Sequence, residues 1–262
     1  MTPSALAFEN VTAGYAPGRP VVERFDLQLM PGEFLALVGP SGCGKSTLLN
    51  LAAGLQAPDA GRVTVDGRPL TGLNRRAAYM QQADTLLPWK SVLDNVALGP
   101  ILRGMDKAEA RRLARQWLRT VGLDADAERY PAQLSGGMKK RVALAQMLIT
   151  DASILLLDEP FSALDAQLRQ QMGTELLRLM RAGRRSALLI THDLQEAIAL
   201  ADRVVVLSAG PRCKVVESLA IELPRPRVVE DMLQESRFMD YHAALWGVLR
   251  RQVRPDGSEA AC

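Results

Sequence analysis

The sequence predicts an α/β fold, and three observations carry that prediction. Short apolar runs rich in β-formers alternate with longer segments of helical period, a glycine-rich loop joins one such run to one such helix, and another run ends in paired carboxylates. This alternation describes a mainly parallel sheet with helices on both faces. The predicted core strands are EFLALVG (33–39), AAYMQ (77–81), SILLLDE (153–159), SALLITH (186–192) and RVVVLS (203–208). Nearer the start, LAFENVTAGY and GRVTVDG read instead as strands of an antiparallel flank, a β-rich wing on the core.

From residue 90 to about 150 the alternation stops. VLDNVALGPILRGM, KAEARRLARQWLRTVGL and LSGGMKKRVALAQ are all helical in period with no strand between them, so they predict a helical subdomain inserted between core segments 1–89 and 151–210. Beyond Gly210 the pattern weakens through ELPRPR and resumes as an amphipathic helix around EDMLQESRFMDYHAALWGVLRR, which makes 211–262 a short tail. No internal repeat or low-complexity segment interrupts this single domain.

Composition bounds the function class. A chain of 262 residues, 48% hydrophobic and 23% charged, has ordinary globular usage and enough length for a sizeable core. No apolar run reaches the ~18 residues of a membrane span. The opening MTPSALAFEN lacks the basic-then-apolar pattern of a secretory signal, so a cytosolic address is expected. A net charge of +3 makes no electrostatic case for nucleic acid, and Arg181, Arg184 and Arg185 read as solvated loop charges. Cys43, Cys213 and Cys262 lack metal-ligand spacing and imply no disulfide framework, which fits a reducing compartment.

GPSGCGKST (39–47) follows a predicted strand and opens a predicted helix, the context that marks a Walker A loop. Gly39, Gly42 and Gly44, with Pro40, Ser41 and Cys43 between them, bring backbone N–H groups onto phosphate oxygens at a helix N-terminus. Lys45 reaches the β- and γ-phosphates, Ser46 offers a hydroxyl to Mg²⁺, and Thr47 contacts phosphate from the same turn. Cys43 reads as a small residue that fits.

ILLLDEP (154–160) supplies the second half, because chemistry in open parallel sheets collects at the carboxyl ends of strands. Asp158 is expected to hold Mg²⁺, leaving Glu159 to orient and deprotonate an attacking water as general base. His192 ends the next predicted strand, where it reads either as a γ-phosphate sensor or as a polar residue before a helix starting at Asp193. His242 reads as a partly buried surface residue of the tail.

With LSGGM (134–138) added, the chain resembles the ATP-binding subunit of an ABC transporter over nearly its whole length. The resemblance implies a RecA-like P-loop NTPase core and an ATPase using ATP and Mg²⁺. It implies Tyr15 as the aromatic stacked on adenine, Gln82 as a glutamine touching Mg²⁺ and the attacking water, SALD (162–165) with Asp165 as the D-loop, and His192 as the switch histidine. It also implies a homodimer or ATPase pair joined head to tail. Each ATP then lies between one chain's Walker A loop and the other's Ser135, Gly136 and Gly137, which add donors to a γ-phosphoryl group spreading charge in the transition state.

LLPWKSVLDNVALGP and the LPRPR tail are similar to importers of the nitrate, sulfonate and taurine type, and the extra regulatory domain of maltose-type subunits is not expected. Where such importers commonly read GMRQRVALARAL, this chain has GMKKRVALAQML, with Lys139, Lys140 and Gln146 among the differing places, a departure that leaves the ATP contacts intact. The expected partners are integral membrane permease subunits, bound through residues 82–92, and indirectly a periplasmic or extracellular solute-binding protein, with no nucleic acid. The expected location is the cytoplasmic face of the membrane, as a peripheral subunit. Alternatives are the ATPase of an exporter or lipoprotein-release complex, and a soluble ABC protein acting on ribosomes or DNA. The latter usually carries two cassettes or a long coiled coil, and neither is in this chain.

Overall fold

The computed structural model describes residues 3–16, 18–83, 85–224, 227–232 and 235–253. In chain order its elements are β1 (Leu6–Ala16), β2 (Arg19–Leu29), β3 (Phe34–Val38), α1 (Lys45–Ala53), β4 (Ala60–Val65), β5 (Arg68–Pro69), β6 (Ala77–Met80), α2 (Val92–Leu102), α3 (Lys107–Thr120), α4 (Gly136–Leu148), β7 (Ile154–Asp158), α5 (Ala166–Gly183), β8 (Ser186–Ile190), α6 (Leu194–Leu200), β9 (Arg203–Leu207), β10 (Val215–Ala220), α7 (Val229–Met232) and α8 (Ser236–Val253). The chain forms two compact units: Met1–Asn74 with Ser186–Cys262, and Arg75–Arg185.

In the first unit β9, β3 and β8 run parallel, and β10 joins β9 antiparallel at the sheet edge. All five residues of β3 and of β8 are buried, the pattern of parallel strands covered on both faces. The predicted wing is present as an antiparallel sheet ordered β2-β1-β4-β5. Its β2 was not among the predicted strands: Glu23, Asp26 and Gln28 alternate with Val22, Phe25, Leu27 and Leu29, so a half-buried strand lies beneath a charged-looking sequence. Likewise β10 escaped prediction because it is an edge strand with little burial to pattern it.

The second unit holds α2, α3 and α4, packed on one another, together with the parallel pair β6 and β7 and the helix α5. Each of the three helices starts on a side-chain cap. Ser91 accepts from Asp94 N–H, Asp106 from Ala108 and Glu109 N–H, and Ser135 from Met138 N–H. In α3, Ala110, Ala114 and Leu118 form a single buried stripe at four-residue spacing.

One surface reading is corrected. Arg181 and Arg184 are exposed, but Arg185 is buried at 8% exposure and its Nη2 pairs with Asp151 Oδ1 at 2.9 Å. The ion pair offsets part of the desolvation cost that keeps unpaired arginines at the surface. His242 is half-buried, as expected. Of the predicted tail, Arg225, Pro226, Leu233, Gln234 and residues 254–262, including Cys262, lie outside the described residues.

Candidate active site

In the first unit the buried strand β3 delivers the chain to Gly39, and α1 begins six residues later at Lys45. Gly44, the N-cap, has φ +111°, and Gly42 has φ +76°, a left-handed backbone that favours glycine. No side chain caps α1, and no acidic residue occupies its first turn. Its leading N–H groups and positive dipole end are therefore arranged for an anion rather than for a capping side chain. Ser41 and Gly42 are exposed at the crown of the loop, Pro40 is half-buried, and Gly39 and Cys43 are buried. Lys45 Nζ donates to Gly39 O and Pro40 O at 2.8 Å each, which holds the ammonium over its own loop.

Ser46 is exposed on the first turn, whereas Thr47 is 2% exposed and its Oγ1 hydrogen-bonds the Tyr15 hydroxyl at 2.9 Å. The Tyr15 side chain, 71% exposed, lines an open cavity of about 660 Å³ with Thr12, Arg19, Glu23, Asp59 and Arg212. That volume is within the range of small-molecule sites. Tyr15 thus joins this cavity to the start of α1.

Strand β8 lies beside β3 with Ile190 opposite Leu37, so the ends of both strands open on the same rim. Two residues past that register pair, His192 is exposed. A compact turn sets its position: buried Thr191 donates through Oγ1 to Glu196 at 2.7 Å, and Asp193 caps α6 by accepting from Gln195 and Glu196 N–H. Asp193 starts a helix, as the second sequence reading of this segment expects, and the residue before it, His192, lies exposed at the rim.

In the second unit β6 and β7 are in parallel register with Met80 opposite Leu157. Gln82 and Glu159 each follow that pair by two residues, which brings them side by side. Gln82 Nε2 donates to Glu159 Oε2 at 3.2 Å. Glu159 has φ +48°, a conformation that costs a non-glycine residue roughly 1–3 kcal/mol and is over-represented at functional sites. Asp158, one residue earlier, is 5% exposed.

Ser135 is exposed at the start of α4, and its Oγ accepts from Met138 N–H at 3.3 Å. Gly136 and Gly137 follow in ordinary helical conformation. A Cβ on Gly137 would lie 3.2 Å from Ala163 O and 3.3 Å from Leu164 Cδ2, tighter than ordinary contact, so a side chain here would require these neighbours to give way slightly. The SALD turn therefore packs against the start of α4. Asp165 caps α5, accepting from Leu168 N–H at 2.9 Å, a structural task beside the cofactor contact expected of it.

Sequence reasoning passed over one residue of this unit. Lys140 is buried at 8% exposure, and its Nζ donates to Gln81 O at 3.5 Å and, more closely, to Gln82 O. A chain of contacts therefore runs from the helix opened by Ser135, through Lys140, to the backbone of Gln82 and on through its amide to Glu159. The only sequence signal was a lysine where importers commonly read glutamine.

The family profile described as ABC transporter matches residues 22–162. The chain is 47% identical over 207 residues to a taurine import ATP-binding protein of Pseudomonas aeruginosa, covering 79% of this chain and 78% of that protein. It is 40% identical over 233 residues to an uncharacterized ABC transporter ATP-binding protein of Methanocaldococcus jannaschii, covering 88% and 85%. Against a nitrate import ATP-binding protein of Synechococcus elongatus it is 41% identical over 230 residues, 87% of this chain but 35% of the longer relative. A solved dimeric ATP-binding cassette in a post-hydrolysis state, bound to ADP and Pi, covers 84% of this chain and 100% of its own, with 30% identity and a TM-score of 0.76.

Proposed function

The chain belongs to the ABC transporter family as an ATP-binding, ATP-hydrolysing cassette, and on that premise we propose that it powers import of a small anion through a separate membrane permease. The observation that carries the import reading is the 47% identity to a protein named for taurine import, with a nitrate import protein at 41%. Among the described residues no helix is long and apolar enough to cross a membrane, so a path for the solute would come from partner chains. We place the chain at the cytoplasmic face, bound to permease subunits and served indirectly by an external solute-binding protein.

Residue roles follow from the chemistry of each group. Residues Gly39–Thr47 hold the phosphates of ATP, with backbone N–H groups and Lys45 facing the oxygens, and Tyr15 stacks on adenine beside its cavity. Mg²⁺ takes oxygen donors in near-octahedral geometry, keeps several waters and is completed by phosphates, so a protein share of one hydroxyl and one carboxylate is sufficient. Ser46 and Asp158 fit that donor set, with Gln82 beside it. When bound, the ion neutralises phosphate charge.

Glu159 accepts a proton from the attacking water, Gln82 orients the carboxylate through the 3.2 Å contact, and His192 hydrogen-bonds the γ-phosphate. The exposed Ser135, with Gly136, Gly137 and the neighbouring Asp165 turn, acts on the nucleotide of a second copy of the chain in a head-to-tail homodimer.

Docking to the permease falls on the loop between Gln82 and Val92. Trp89 there is 71% exposed, while the loop is pinned from behind by the fully buried Asn95. Its side chain accepts from Leu87 N–H and donates to the carbonyls of Leu87, Lys90 and Ser91. The segment from Leu87 to Ser91, held by Asn95 and presenting an exposed indole, is suited to a partner surface.

The test is uptake of labelled taurine, nitrate and an alkyl sulfonate by cells lacking this chain. Uptake of one of these anions is expected to disappear and to return with the parent chain but not with Glu159→Gln. Unchanged uptake across the panel would contradict the import reading.

A further inference from the structure

The phosphate cradle contains a pair of thiols that neither ATP binding nor hydrolysis employs. Cys43, inside the loop, and Cys213, in the turn between β9 and β10, are both completely buried. Backbone contacts dock that turn on β2. Cys213 N–H donates to Val21 O at 2.9 Å, and Cys213 bridges Val22. The same two valines press on Gly44, where a Cβ would lie 2.9 Å from Val21 Cγ1 and 3.3 Å from Val22 Cγ2. Across this contact each thiol lies close enough to shift the ionisation of the other, and Lys45 Nζ stands 3.9 Å from Cys43 Sγ.

We propose that Cys43 and Cys213 form a reversible disulfide when a hydroperoxide reaches the nucleotide-free cradle, and that this bond switches off ATP binding. The second thiol is not part of the nucleotide site described above, although its neighbour in the turn, Arg212, lines the Tyr15 cavity. The inference rests on residues 39–47 being that site.

The surroundings assign the two sulfurs different parts. The Cys213 thiol holds the Cys43 thiol below its ordinary pKa against the opposing effect of burial, and the Lys45 ammonium adds to the lowering. Cys213 is pushed up by Cys43 and by burial. Cys43 is therefore the attacking thiolate and Cys213 the resolving thiol. The thiolate attacks one peroxide oxygen, the O–O bond breaks, and the departing oxygen takes a proton, leaving a sulfenic acid on Cys43. Cys213 sulfur then attacks Cys43 sulfur, the S–O bond breaks, and the Cys213 proton leaves with the hydroxyl as water. Two thiols lose two electrons, and the peroxide is reduced by the same two.

Access and consequence both follow from the loop. Ser41 and Gly42, which precede Cys43, are exposed, and a Cβ on Gly42 would meet nothing within 4 Å, so a small opening of the crown admits an oxidant the size of hydrogen peroxide. Closing the bond staples the loop to the β9–β10 turn. A displacement of about 1 Å in a positioning element can cost on the order of a hundredfold in rate. A cradle whose donors must converge on one phosphate group is exposed to a loss of this kind.

The test uses the full chain carrying Cys262→Ser, which leaves these two thiols. ATP affinity of the reduced protein is measured first, by equilibrium binding, which checks the cradle reading separately. Nucleotide-free protein is then treated with hydrogen peroxide, mapped by peptide mass spectrometry and assayed for ATP affinity before and after dithiothreitol. The expected result is a Cys43–Cys213 linked peptide, affinity weakened about tenfold or more, and recovery on reduction. Cys213→Ala, or Cys213→Ser as a second packing solution, should keep basal hydrolysis and lose the reversible response. Absence of the linked peptide, a linked protein with unchanged ATP affinity, or an equal reversible loss in both Cys213 variants would each overturn the proposal.

Discussion

Two glycine-bearing helix starts, at α1 and at α4, use the same residue for opposite reasons. At α1 glycine supplies backbone freedom: Gly42 and Gly44 sit at positive φ, and no side chain caps the helix. At α4 glycine supplies room: the cap is Ser135, and Gly137 permits Ala163 and Leu164 to approach where a Cβ would crowd them. The lesson is that a glycine-rich motif is chemically ambiguous until conformation and packing are separated. The first start has the backbone conformation expected of a phosphate-binding loop; the second presents an exposed serine from a turn that is already packed.

The largest effect that sharpens this contrast is expected at the first start. Lys45→Ala removes the cation of the cradle, and ATP affinity and turnover should both fall by roughly a hundredfold or more, measured by binding and phosphate release. Retained binding at the parent level would mean that the backbone groups of α1 suffice alone.

An intermediate effect is expected where the second start meets the catalytic pair. Lys140→Met removes a charged donor from the Gln82 carbonyl, an interaction worth about 1.5–3 kcal/mol. We expect kcat to fall roughly tenfold with ATP affinity unchanged, and Lys140→Gln, which keeps an amide donor, to recover part of it. A fall confined to affinity would show that Lys140 acts on binding instead of on the Gln82–Glu159 pair.

The smallest effect belongs to spacing. Gly137→Ala places a methyl group 3.2 Å from Ala163 O, so about 1–3 kcal/mol of stability should be lost, read from the denaturation midpoint, with ATP affinity preserved. An unchanged midpoint would show that the SALD turn yields and that space is not what this glycine provides.

Much of the parallel core was legible because its strands are short, continuous apolar runs; β3, β7, β8 and β9 fall inside the predicted segments, one or two residues shorter where turn residues prolong the apolar pattern. Strands β2 and β10 were not, since charged alternation and edge exposure respectively hide them. Glu159 was singled out by its place at a strand end, and Gln82 and His192 as the sensor only through the family resemblance. The Gln82–Glu159 contact was not legible, because it comes from parallel register between strands distant in sequence. Lys140 and the Cys43–Cys213 pair were invisible for the same reason: each depends on a long-range contact that no local period encodes. The burial of Arg185 likewise depends on Asp151, well upstream in the chain.

The central claim is that the start of α4 completes the ATP site of a second chain. Native mass spectrometry of Glu159→Gln with saturating ATP tests it most directly, because that variant is expected to bind ATP, to turn over about a hundredfold or more slowly and so to retain the bound state. Two chains with two ATP molecules is the predicted stoichiometry. A single chain carrying one ATP throughout the titration would contradict the account.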